Sequence, residues 1–480
     1  MQNKEKLWWD NHFSQMLGDL KALIAIPSIS QENKETPDTP YGKACLDVLD
    51  FIGELGAGYG FSAKNCDNQC MILKYEGSIQ TDIGIFSHLD VVPVGPGWSY
   101  DPFIATTMDD CIIGRGSGDN KGPAIAVLYA LMYLKETGWK PKHTISHFFG
   151  VNEECGMKDI QYYVKNYPMP VFSLVPDVAF PVCHGEKGVL ELDCEFSMSR
   201  DSSIRKWESG VASNAVPALC VAEIRVDYAS LVSFFRNMKD IEIRSLPDGY
   251  CCIKASGIAT HAAFPEGSVN AQTRLASALL EAGFLKESDI KLMKAIVACF
   301  SDYHGSGIGV PYEDDVSGKL THVAGYSRYD RKTGKAFSQN INIRYTVTSD
   351  FKTMIGAIEK KLSDSGFRLV SYHDSAPMYV DENLSLIGKL TQISKEVTGL
   401  DLSPYVMGGG TYARKLKNAV GFGPGIPGGN VKFGADRGHG HQPDEYVAFD
   451  TLEKCFMAYV SAIPEIDSSL ESGETWKAIH

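Results

Sequence analysis

The chain has 480 residues, 44% of them hydrophobic and 22% charged, which supplies enough apolar material for large cores and excludes a mainly disordered or fibrous protein. Lys and Arg total 46 against 59 Asp and Glu, a formal charge of −13, and so acidic a surface argues against nucleic acid as a partner. The longest unbroken apolar run, Ala124–Leu134, is too short to span a bilayer, and MQNKEKLWWDNHF at the start lacks the apolar core of a signal peptide. No membrane association and a cytoplasmic location are expected. The twelve cysteines are scattered and form no C-x-x-C, so they read as reduced thiols in ordinary packing.

The first third alternates strand-like and helix-like segments. IGIFS (83–87) is a short apolar run ending at His88. A turn-rich stretch leads to GRGSGDNKG (114–122), and then Pro123–Thr137, apolar almost all round and closed by Gly138, reads as a buried helix. HTISHFFGV (143–151) is strand-like and runs into Asn152-Glu153-Glu154; VFSLV (171–175) ends at Pro176-Asp177. Strands separated by helices predict an α/β sheet with helices on both faces. From Val189 the texture changes: VLELDCEFSM (189–198), YCCIKASG (250–257) and INIRYTVT (341–348) alternate as solvated antiparallel strands do, with a helix predicted over Asn270–Gly283. This is an α+β domain inserted into the chain. Helical periodicity returns at SLIGKLTQISKEVTG, followed by the glycine-rich MGGGTYAR (407–414) and GFGPGIPGGN (421–430), and by GHGHQPDEY (438–446).

Candidate polar groups gather at the carboxyl ends of the predicted strands, where open α/β sheets bind ligands. His88 and Asp90 follow the first, Glu153 and Glu154 the second and Asp177 the third, while Asp119 sits in the glycine-rich turn before a helix. Carboxylates brought together there repel one another without a cation between them. One histidine with several carboxylates therefore argues for metal, and mixed N and O donors suit zinc or manganese. GRGSGDNKG fits neither G-x-G-x-x-G nor the P-loop spacing, so it is not read as a phosphate cradle.

Taken together, HLDVVPVGPGW (88–98), GRGSGDNKG (114–122), NEECG (152–156), GIATHAAFPEGSVNA (257–271) and HQPDEY (441–446) resemble the zinc aminopeptidase/aminoacylase/carboxypeptidase G superfamily. PDVAFPVCHGEKG (176–188), GGGTYARKLKNAVGFGP (408–424) and the size of the insertion look most like its dipeptidase V branch. The resemblance implies a catalytic α/β/α sandwich, residues 1–188 and 383–480, with an inserted lid at 189–382 made of two small α+β units. It implies two divalent metal ions, zinc first with manganese or cobalt as alternatives. Asp119 would bridge them, His88 and Asp177 completing one and Glu154 and His441 the other. Asp90 would accept the second imidazole N–H of His88, and Glu153 would be the general base.

A strand through the tail would point His439 and His441 to one face. The family pattern, with the ligand directly before x-P-x-E, selects His441 and makes Glu445 a structural partner, and His439 is the alternative. His184 reads as a packing residue or a neighbour of the ligands. In the insertion, His261 matches the lid histidine that polarises the scissile carbonyl in relatives, and Asn214 and Arg344 resemble further substrate-reaching residues. Arg414 suits a free α-carboxylate, because guanidinium and carboxylate pair bidentately, and Gly408, Gly409 and Gly410 would let the backbone approach the same end of the substrate. The expected activity is hydrolysis of dipeptides with a free C-terminal carboxylate by a monomer, with His261 acting in cis. The alternatives are an N-acyl-amino-acid deacylase or desuccinylase of the same superfamily, and a metal-binding protein without catalysis.

Overall fold

The computed structural model describes residues 2–33, 36–334, 336–428, 432–434 and 436–471. The last two residues of GFGPGIPGGN lie outside them. The chain forms two compact units, one of Met1–Gly185, Tyr379–Tyr405 and Gly410–His480, the other of Glu186–Met378 and Val406–Gly409.

The first unit is an α/β/α sandwich. Its main sheet includes β1 (Ser62–Cys66), β2 (Cys70–Tyr75), β3 (Ile79–His88), β4 (His143–Gly150), β5 (Phe172–Val175), β6 (Cys183–Glu186) and β7 (Ala419–Gly421), which run β1-β2-β4-β3-β5-β7-β6. β3 is parallel to both β4 and β5. The central strands are buried on both faces, as parallel strands covered by helices must be. Helices α1 (Gln2–Ile24), α2 (Lys43–Gly58), α3 (Lys121–Glu136), α4 (Lys158–Asn166), α5 (Ser385–Thr398) and α6 (Phe449–Glu471) complete the layers.

Helix α3 is buried at each position from Lys121 to Leu134, in keeping with a stretch apolar all round. Pro123 falls in its first turn, where its missing N–H costs no intrahelical bond. Helices α1 and α6 meet beside it: Trp9 of α1 lies with its ring centroid 4.9 Å from that of Phe456 of α6, and Trp8 stacks on the same ring at 5.5 Å. Among the described residues no helix is long and apolar enough to cross a membrane.

The second unit departs from the two small α+β units expected between 189 and 382. Eight of its strands make one antiparallel sheet, ordered Ile241–Ser245, Tyr250–Ser256, Leu219–Arg225, Ile204–Ser209, Thr321–Asp330, Ala336–Tyr345, Gly188–Ser197 and Phe367–Ser375. The two halves are joined at the middle by main-chain pairing that sets Lys206 opposite Asp330 and Ser209 opposite Ser327. A single core, including Trp207, Leu275, Ile296, Ile343 and Leu362, then runs under both halves. The alternation read from the sequence holds, with Tyr250–Ser256 burying every second residue. The helix predicted over Asn270–Gly283 is Ala271–Ala282, with the Asn270 side chain accepting from the Gln272 N–H at its start and Gly283 left-handed at its end.

Candidate metal centre

Sheet register brings the first group together. His88, the last residue of β3, lies opposite Gly150, the last of β4, and Ile85 lies opposite Leu174 of β5. Asp177, three residues beyond Leu174, therefore comes level with His88, and Glu153 and Glu154 follow on the loop after Gly150. The remaining members arrive on loops: Asp119 before α3 and His441 from the tail.

Asp119 stands between the two imidazoles. Its Oδ1 is 2.9 Å from His88 Nε2 and its Oδ2 is 3.2 Å from His441 Nε2. On the His88 side, Asp177 Oδ2 lies 3.6 Å from Nε2; on the His441 side, Glu154 Oε1 lies 2.9 Å from Nε2. Donor atoms of His88, Glu153 and Asp177 fall within 4.8 Å of one another, as do those of His88, Asp119 and Glu154. His439 is exposed and contributes only main-chain bonds among the described residues. The strand expected at His439–His441 is absent: this segment is a turn, in which His441 has φ 66° and is carried away from its neighbour.

Buried polar groups hold the members of this group other than His441 from behind. Asp90 serves two partners, the His88 ring and the glutamate loop. The nearest acceptor for His88 Nδ1 is the Asp90 main-chain oxygen at 3.0 Å, with the carboxylate Oδ1 at 3.4 Å. That carboxylate also accepts from the Glu153 and Glu154 amides, at 3.1 Å each. A proton on Nδ1 leaves the Nε2 lone pair facing Asp119 and Asp177.

The Asp119 turn is held by Glu445, whose Oε1 accepts from the Gly118 and Asp119 amides at 3.0 Å and whose Oε2 accepts from Arg115 Nη1 at 2.7 Å. Asn120 donates to Asp177 Oδ1 at 3.1 Å and to the Pro176 carbonyl at 2.6 Å, which turns Oδ2 toward His88. Arg115 and Asn120 are not picked out by sequence reasoning, although both lie in the GRGSGDNKG motif. His184 packs away from this group, its Nδ1 2.8 Å from the Val380 carbonyl oxygen.

The electrostatics are those of acids crowded without enough positive charge. Burial raises the pKa of Glu153 well above the ordinary carboxylate range, and Asp177, Glu154 and Asp90 add to this. Asp177 is raised likewise by burial and by Asp119, and Glu154 by burial and Asp119. Asp119 is half-buried, and the His441 and His88 imidazoles hold it below the usual range. His441 is raised to about 11 by Asp119 and Glu154. Two imidazoles and several mutually repelling carboxylates, with one carboxylate set between the imidazoles, make a donor set that fits a pair of divalent cations of the zinc or manganese type.

The expected substrate-facing residues of the insertion also group within their own unit. The Asn214 carbonyl accepts from the Ala262 N–H at 2.8 Å, beside His261. Thr321 donates to the Ala262 carbonyl at 2.9 Å and is paired across strands with Arg344. Arg344 is buried, donating to Asn342 Oδ1 at 2.9 Å and to the Gly408 carbonyl at 3.1 Å. His261 is exposed, its Nδ1 accepting from the Ala263 N–H at 3.2 Å.

Gly409 belongs with this second unit, whereas Gly410 and Arg414 belong to the first. Arg414 lies on the 3₁₀ turn Tyr412–Lys415, and its half-buried guanidinium occupies the space that a Cβ at Gly410 would need.

The sequence pattern of peptidase family M20/M25/M40 matches residues 84–465. A Staphylococcus epidermidis protein named "Putative dipeptidase" is 32% identical over 462 residues, covering 94% of this chain and 96% of that one. A Bacillus subtilis protein, "Putative dipeptidase YtjP", is 30% identical over 94% of this chain and 97% of its own. Among solved structures, aminoacylhistidine dipeptidase from Vibrio alginolyticus superposes with a TM-score of 0.58 at 13% identity, covering 94% of this chain and 96% of that one. Human carnosine dipeptidase 1 gives 0.55 at 13% identity, covering 96% and 98%. At such identities the structural likeness carries the fold alone.

Proposed function

The chain belongs to peptidase family M20/M25/M40 and is a metallopeptidase, and from there we propose that it is a dinuclear-metal dipeptidase acting on dipeptides with a free C-terminal carboxylate. The observation that carries this reading is Asp119, whose two oxygens face two imidazoles on opposite sides. We assign His88 and Asp177 to one cation, Glu154 and His441 to the other, and Asp119 to both, with zinc first among the candidate ions. Held there, divalent cations supply Lewis acidity, polarising a carbonyl and lowering the pKa of a water toward neutrality.

The chain's own residues do the rest. Glu153 takes the proton of the attacking water and returns it to the leaving amine, a task suited to a carboxyl whose hold on a proton burial strengthens. Asp90 keeps the Glu153 amide fixed and the His88 ring oriented. Asn214, His261 and Arg344 are assigned to the substrate, as donors for the carbonyl oxygen while negative charge develops on it. Arg414 is assigned to the terminal carboxylate, with Gly409 and Gly410 leaving room for the substrate's backbone. The names of the relatives support dipeptides over longer peptides. We read the enzyme as a cytoplasmic monomer, its large insertion supplying His261 in cis.

Hydrolysis of a panel tests this: dipeptides, a tripeptide, and N-acetyl and N-succinyl amino acids, with the metal-loaded protein, with and without chelator. Chelator-sensitive cleavage confined to dipeptides is expected, and Glu153→Ala should retain both metals while losing turnover. Preference for the acylated amino acids would make the protein a deacylase, and near-normal turnover by Glu153→Ala would remove Glu153 as the base.

A further inference from the structure

Beyond Gly150 the chain leaves the sheet, and four successive amides lose their ladder partners. Each finds a buried carboxylate instead. Val151 and Asn152 donate to Asp159 Oδ2 at 2.7 and 2.9 Å, and Glu153 and Glu154 donate to the two oxygens of Asp90. Asp159 is fully buried, so its lone pairs must be satisfied inside the protein. Besides those two amides, Oδ1 accepts from the Ile160 N–H at 2.7 Å, and Oδ2 accepts from the Tyr412 hydroxyl.

Tyr412 is buried as well. Its ring meets those of Phe148 and His88 edge-on, at centroid distances of 5.5 and 6.5 Å. Position 150 has to be glycine for this arrangement, since a Cβ there would run into both the Tyr412 hydroxyl and the Asp159 carboxylate.

We propose that Asp159 and Tyr412 form a positioning pair that holds the Glu153–Glu154 loop in its working conformation and ties it to the turn bearing Arg414. The inference rests on the roles given above to Glu153, Glu154 and Arg414. Neither member of the pair touches a ligand side chain through a hydrogen bond; their influence passes through the main chain of residues 150–152 and through the 3₁₀ turn, in which Arg414 lies two residues beyond Tyr412. The phenol hydroxyl links that turn to the carboxylate that anchors the loop. Loss of the hydroxyl frees the loop without removing a ligand, the base or the fold, so the effect should fall on turnover rather than on substrate binding. Small displacements of catalytic groups are costly in rate.

Tyr412→Phe deletes only the hydroxyl, and Asp159→Asn, the second variant, keeps the shape but turns an amide NH₂ toward donors. Both are measured as full-length, metal-loaded proteins by hydrogen exchange of the Val151–Glu154 amides and by kcat and KM. Tyr412→Phe should speed exchange of these amides about tenfold while β3 is unchanged, and lower kcat about tenfold with KM within about twofold and metal content unaltered. Asp159→Asn should do the same more strongly. In a Glu153→Asp background the effect of Tyr412→Phe on kcat should shrink, because the base it positions is already displaced. Unchanged exchange, or an equal loss of kcat in both backgrounds, overturns the proposal. If Glu153→Asp alone turns over at the parent rate, the assignment of the base falls, and the exchange result still decides whether the pair holds the loop.

Discussion

At position 410 a hydrogen atom in place of a methyl group decides where a guanidinium lies. Gly410→Ala should push Arg414 off its seat and raise KM for dipeptides about tenfold, with less effect on kcat. A dipeptide with an amidated C-terminus should be insensitive to the change, so measuring both substrates separates loss of the carboxylate clamp from general damage. The residues proposed to carry the chemistry could be picked out at this scale, because His88, Asp119, Glu153, Glu154, Asp177 and His441 sit in short motifs of unusual composition. Those that hold them could not. Asp159 in MKDI reads as an ordinary acidic residue in the first turn of a helix, and only the fold reveals it as a fully buried acceptor. Asp90 was found for its nearness in sequence to His88, but its carboxylate also holds the glutamate amides, which only tertiary structure brings to it.

Among the elements, β4 carries a consequence for acid stability. His147 is fully buried beside Phe149, with ring centroids 4.0 Å apart, and has Nε2 2.9 Å from Ser87 Oγ. Burial pushes its pKa down to about 3. An unfolded histidine takes up its proton near 6.5, so between these values the unfolded chain binds the extra proton and stability falls as pH drops. His147→Gln should therefore lose less in Tm between about pH 7 and about pH 5 than the parent protein does; an equal loss in the two would refute this. Helix α3 was legible in outline because it is apolar all round, whereas α1 was not. The buried positions of α1, Trp9, Met16, Leu20, Leu23 and Ile24, form a narrow stripe diluted by charges, and its packing on α6 is set by residues more than four hundred positions away.

For the molecule as a whole, the division into two units, each with its own core, sets how it should respond to loss of metal. The proposed ligands all belong to the first unit, so cations bound there stabilise that unit by mass action. Chelation should lower the midpoint of one calorimetric transition and leave the other in place, and restored metal should reverse the shift. Equal movement of both transitions would show that the units melt as one. The insertion was visible in the sequence as a change from buried to alternating strands. Its single sheet was not, because pairing across the middle depends on the register of Ile204–Ser209 with Thr321–Asp330, more than a hundred residues apart.

The order in which the chain is made gives the discontinuous first unit a further meaning. Most of the second unit is one unbroken stretch, Glu186–Met378, able to fold as it leaves the ribosome, since domains generally fold as units during synthesis. The first unit must wait, because β7, α6, His441 and the Glu445 that pins the Asp119 turn are all translated after that stretch. A nascent chain thus carries an unfinished group of proposed ligands until the segment bearing His441 and Glu445 has been made.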